Sequence, residues 1–154
     1  MFIPDPQPSG KAMSPAVAPA GSAVAAAIGM TVDSDDLLPL VDTGILAELE
    51  EQLDGTELAL RFARDYAAIW DQRCAKLAAA VQNQDTETAL DAVISLKITS
   101  AMVGGLRLAR LAELLESVIR QGNFGQGEIL MKRVAEDGNQ TVSELQTSYI
   151  LKND

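Results

Sequence analysis

The chain has 154 residues, 22 acidic and 12 basic, for a formal net charge of -10. A surface of that sign repels phosphate backbones and anionic lipid headgroups, which argues against nucleic-acid and membrane partners. Histidine is absent and cysteine occurs once, at Cys74, which removes the commonest general base, the histidine phosphoryl acceptor, an internal disulfide and a cysteine zinc site.

Hydrophobic residues make up 47% of the chain and aromatic residues 4%. Ala and Leu dominate, so the composition predicts an all-α domain built on aliphatic packing. The near absence of cysteine fits a reducing, cytoplasmic compartment.

Residues 1–35 read as a disordered tail. Five of the six prolines lie there, at Pro4, Pro6, Pro8, Pro15 and Pro19, among Ser, Gly and Ala. The uncharged stretch between Lys11 and Asp33 is broken by Pro15, Pro19, Gly21 and Gly29 and is poor in Leu, Ile and Phe. It reads as neither a spanning helix nor, with Asp5 ahead of the only lysine of residues 1–35, a signal peptide.

The folded part is expected over 36–154. Asp42-Thr43 caps a short helix carrying Ile45, Leu46, Leu49 and Leu53, and Asp54-Gly55 closes it. Thr56 opens a long helix to Gln82, with Phe62, Tyr66, Ile69, Trp70, Leu77 and Val81 at helical spacing. Trp70 and Cys74, one turn apart, read as packing residues.

Asp85 or Thr86 caps a third helix from Glu87 to Val103, and Gly104-Gly105 breaks it. A fourth helix presents Leu108, Leu111, Ala112, Leu115, Val118 and Ile119 on one face. The glycine-rich 122–127 stretch lacks a following Lys-Ser/Thr and reads as a connection between helices. The last helix is expected from near Gly127, carrying Leu130, Val134, Val142, Leu145 and Tyr149. Gly138 on the same face marks a close approach or a kink. The Asn139-Gln140-Thr141 sequon falls mid-helix and reads as chance. Short connections between long amphipathic helices predict an antiparallel four-helix bundle with a short extra N-terminal helix.

The third helix has too much apolar surface for one core-facing stripe. At about 100° per residue, Ala89, Val93, Leu96, Ser100 and Val103 form the core stripe. Ile94, Ile98, Ala101 and Gly105 form a second, displaced strip, and Lys97 lies between the two. Either a neighbouring helix covers this strip or it is an exposed apolar patch for a partner.

This helix resembles that of histidine phosphotransfer (HPt) domains, whose motif runs close to His-x-Leu-Lys-Gly-Ser-Ser-x-x-x-Gly. Leu96-Lys97 match its Leu-Lys, Thr99-Ser100 its Ser pair and Gly104 its last glycine. Leu90 and Val93 suit the positions before the histidine. Leu108, Leu111, Ala112, Leu115 and Glu116 continue the family's fourth helix, and the likeness covers about residues 43 to 150.

The departures fall at the centre. Ile94 stands where the family has its phosphoryl-accepting histidine, and Ile98 where it has a small glycine that lets a receiver domain approach. An isoleucine carries no nucleophile. Ser95 is turned by about 100° and has no visible base. Lys97, which would help hold a phosphoryl group in an active member, reads here as a solvated lysine.

The resemblance therefore implies a phosphotransfer-inactive signalling adaptor that is not an enzyme and needs no cofactor. Its partner would be the receiver domain of a response regulator or a related signalling protein. The candidate partner-binding residues are Ile94, Ser95, Lys97, Ile98, Ala101, Gly104 and Gly105. The alternative is a structural or self-associating bundle that uses the Ile94/Ile98 face as a homodimer contact. Adjacent acidic pairs such as Glu50-Glu51 point to different sides of a helix and build no metal site.

Overall fold

In the computed structural model, residues 37–153 are described. The tail read in residues 1–35 lies outside them. The helices belong to a compact unit that starts at Pro39. They are α1 (Thr43–Gln52), α2 (Thr56–Gln82), α3 (Thr86–Met102), α4 (Leu106–Arg120) and α5 (Phe124–Leu145). A π-helical turn (Gln146–Ile150) and a short 3₁₀ turn (Leu151–Asn153) extend α5.

Helices α2 to α5 form a closed ring in which each packs on both its neighbours: α2 on α3, α3 on α4, α4 on α5, and α5 back on α2. The short α1 packs on α2 and α3. This is the antiparallel four-helix bundle with one extra helix that the sequence predicts. Among the described residues there is no strand, and no helix is long and apolar enough to cross a membrane.

The caps follow from local chemistry. Asp42, Asp85 and Asn123 each turn a side-chain oxygen onto a backbone N–H of the following helix, at Gly44, Thr88 and Gln126 respectively. Asn123 therefore starts α5 at Phe124, one turn before the position expected from the glycines. The 125–127 glycines are helical, and Gly127 packs against Val81 and Leu115.

The C-termini of α1 to α4 share one closure. The residue after the cap turns left-handed and the next N–H reaches back to the last turn. In α1 the residue after the cap is Asp54 (φ 62°), and the Gly55 that follows it also takes a positive φ, 141°.

Two apolar clusters fill the bundle. One gathers Trp70, Leu77, Val93, Leu96, Leu111 and Leu115 along its length. The other, built on Leu46, Leu49, Ala63, Tyr66, Val103 and Leu145, lies where α1 closes one end. Two polar contacts are set into this core. The Tyr66 hydroxyl and Ser100 Oγ lie 2.6 Å apart, both buried. Trp70 Nε1 donates to Asn139 Oδ1 at 2.7 Å. Asn139 thus works as a partner for the indole, and the adjacent Thr141 is fully buried.

Gly138 is the close approach foreseen from its position. A Cβ there would overlap the six-membered ring of Trp70. Ile69 breaks the α2 pattern: it is 39% exposed and faces the outside of the bundle, one residue short of the buried Trp70. Cys74 is half-buried beside the core. Burial, reinforced by the Asp71 carboxylate, pushes its thiol pKa up and so disfavours the thiolate.

Candidate partner-binding face

The third helix is held at both ends. Asp85 caps its start. At its finish, Gly104 N–H donates to Ala101 O at 3.1 Å and Gly105 N–H to Ser100 O at 2.8 Å. Gly104 takes φ +81°, and a Cβ there would run into the Asp42 backbone. Asp42 N–H donates in turn to Gly104 O at 2.8 Å. The chain entering α1 is thereby fastened to the α3–α4 turn, and only glycine fits the crossing.

That placement corrects the expected site. Gly104 and Gly105 are buried, Gly104 under the Asp42 backbone and Gly105 against Thr141 and the carbonyl of Leu40. They cannot meet a partner. Their role is to let the backbone cross closely at the end of the bundle.

The rest of the strip lies along one ridge. The core stripe of α3 is where the wheel puts it: Ala89, Val93, Leu96, Ser100 and Val103 are all fully buried. Ile98 points away from the core and is 53% exposed. Ile94 is half-buried and touches the core cluster. Ser95 and Ala101 are exposed. So the two isoleucines differ. Ile94 is shared between the bundle and the surface, whereas Ile98 is given to the surface.

Lys97 departs from the solvated lysine expected of it. Its Nζ donates to Glu116 Oε1 on α4 at 2.7 Å, and the same carboxylate accepts from Arg120 Nη2 through Oε2 at 2.8 Å. Only 13% of the Glu116 side chain is exposed. Hydrogen bonds from Lys97, and then Arg120, hold its carboxyl below the usual carboxylate range against the opposing effect of burial.

On the other flank α2 contributes residues that the sequence reading did not single out. Arg73 Nη1 donates to Thr99 Oγ1 at 2.8 Å, and Thr99 Oγ1 donates to Ser95 O at 2.8 Å. A groove of about 360 Å³ runs between α2 and α3, lined by Ile69, Arg73, Lys76, Asp91 and Ser95 among others. The exposed Ile69 extends the apolar ridge onto α2. Two positive charges beside an exposed isoleucine at helical spacing were the available signal. The apolar period of α2 masked it by placing Ile69 with the core.

Chemically, the face offers apolar contact and charge. Ile94 and Ile98 carry no nucleophile, and no base is hydrogen-bonded to the Ser95 hydroxyl among the described residues. Among those residues no cluster of His, Cys, Asp or Glu is arranged to hold a metal ion.

The bundle superposes on the crystal structure of histidine-containing phosphotransfer protein B (HptB) from Pseudomonas aeruginosa PAO1 with a TM-score of 0.64. The match covers 71% of this chain and 94% of that one, at 21% sequence identity. The fold is therefore that of a histidine phosphotransfer domain. No family model matches the sequence, and no curated protein sequence matches it.

Proposed function

We propose that the chain is a phosphotransfer-inactive HPt-like adaptor of a phosphorelay, which binds a receiver domain or a related signalling protein through the α3 ridge. The observation that carries this reading is the exposure of Ile98 on an HPt-like bundle, at the position where the motif has a small glycine. An HPt scaffold keeps a docking surface around its acceptor. Here the acceptor position holds Ile94, so what remains is a surface suited to binding.

Ile94, Ser95, Ile98 and Ala101 form the contact strip. Arg73 and Lys76 border it on the α2 side, and Lys97 is fixed on the α4 side by Glu116. Fully burying an aliphatic side chain is worth about 1.5–3 kcal/mol, which makes Ile98 the natural anchor. The adaptor is not an enzyme and acts in the cytoplasm, where such partners work. It occupies the partner without receiving its phosphoryl group.

Calorimetric titration of the chain with purified receiver domains from the same cell tests the proposal. A saturable complex is expected with at least one of them. Ile98→Asp should weaken it at least about tenfold, or about 1.4 kcal/mol, without lowering the melting temperature. Binding that is indifferent to Ile98→Asp, or no binding to any receiver domain, would overturn it.

A further inference from the structure

The α3 ridge carries opposite charges at its two ends. Near its N-terminal half, the α2–α3 groove holds Arg73 and Lys76 against a single carboxylate, Asp91. Lys76 is exposed and makes no ion pair among the described residues. At its C-terminal end a second groove of about 310 Å³ lies between α1 and α3, lined by Ile45, Gln52, Ala101, Met102 and Glu48. Glu48 is the one charged residue lining it among the described residues. It too is exposed and unpaired among them.

Ile98 sits midway. Ser95, bordering the cationic groove, precedes it by three residues, and Ala101, bordering the acidic groove, follows it by three. Each lies about 4.5 Å along the helix axis from it. A surface with an apolar centre, a cationic end and an acidic end is complementary to its own copy turned end for end.

We propose that a second copy of this chain docks on the ridge, related by a two-fold axis that lies in the interface and crosses α3 at Ile98. The two α3 helices then cross antiparallel, with Ile98 packed on its counterpart. Lys76 and Arg73 of each copy meet Glu48 of the other, and the arrangement is made twice. Asp91 opposes this pairing, since it faces the same Glu48. The two cations beside it outweigh it, because opposite charges at close range dominate a single like pair. Lys97 takes no part, because Glu116 already holds it.

The assignment rests on the exposed ridge and its end charges, and stands whether or not a receiver domain binds there. If both occur, self-association hides the binding face, and mass action sets how much of it is open.

Sedimentation equilibrium of the full chain across a concentration series tests the proposal. A monomer–dimer equilibrium is expected. Ile98→Asp, Lys76→Glu and Glu48→Lys should each raise the dissociation constant at least about tenfold. An equimolar mixture of the Lys76→Glu and Glu48→Lys chains should dimerise again, because each then supplies the charge the other lacks. Circular dichroism melts establish that each variant is folded. A chain that stays monomeric at about 1 mM, or a dimer unmoved by Ile98→Asp, would overturn the proposal. So would a mixture that associates no better than its components.

Discussion

Lys97 Nζ lies 2.7 Å from Glu116 Oε1, and that ion pair ties α3 to α4 beside the Ile94–Ile98 strip. Arg120, one turn after Glu116 on α4, completes a two-cation clamp on one carboxylate. The clamp gives Lys97 a structural partner inside the bundle, so its side chain is tied to α4 rather than left in solvent.

The clamp has a pH signature. The folded-state pKa of Glu116 lies below its unfolded value. Its contribution to stability is therefore present above the unfolded carboxylate pKa, about 4.3, and is lost as pH falls through the lower folded value. Urea unfolding midpoints followed downward from neutral pH should show Glu116→Gln less stable than the parent at neutrality. The gap between the two should narrow on the acid side. A constant gap across the range would contradict this account of Glu116.

The Tyr66–Ser100 pair makes a second case. Both groups are buried and each is the other's partner at 2.6 Å. Ser100→Ala leaves the phenol unsatisfied and should cost about 1–3 kcal/mol in denaturant unfolding. Tyr66→Phe with Ser100→Ala should cost less than the two single changes added, since no orphaned donor remains. Burial pushes the Tyr66 pKa up to about 12. Raised above the unfolded value near 10, it contributes stability that is full below that value and is lost as pH rises toward 12. Additive costs in the double mutant would show that the hydroxyls are not coupled.

Gly138 and Trp70 give the steepest steric prediction. A methyl at residue 138 would overlap the indole ring, whose Nε1 is held by Asn139. Alanine's better helix propensity would gain about 1 kcal/mol. Displacing a packed ring costs more, about 1–3 kcal/mol or above. Gly138→Ala should therefore lower the unfolding free energy on balance and shift the Trp70 fluorescence as the ring moves. A stabilised variant with unchanged emission would refute the packing described.

Much of this fold was legible in the sequence because aliphatic residues recur at helical spacing and aspartates stand at helix starts. The core stripe of α3 followed from the wheel alone, since Val93, Leu96 and Ser100 share one direction. The start of α5 did not. Three glycines outweighed the cap at Asn123 in that reading, although helical glycine costs only about 1 kcal/mol each.

The site was half legible. Ile98 could be flagged as surplus to the core, but its exposure depends on where α2 and α4 lie. The burial of Gly104 depends on Asp42, some sixty residues away in sequence, and no local pattern carries that contact. The Lys97–Glu116 pair likewise joins two helices whose relative rotation a sequence period does not set. Ile69 and Lys76 entered the face only once α2 was docked beside α3.

The central claim is that the α3 ridge is a phosphotransfer frame with its chemistry removed, and restoring two residues tests it most directly. Ile94→His supplies the nucleophile, and Ile98→Gly clears the turn above it for a receiver domain. The double variant and the parent chain would each be mixed with receiver domains carrying a radiolabelled aspartyl phosphate. The account predicts acid-labile, alkali-stable label on the folded double variant and none on the parent. Label on the parent, or a folded double variant that takes up none from any receiver domain, would contradict it.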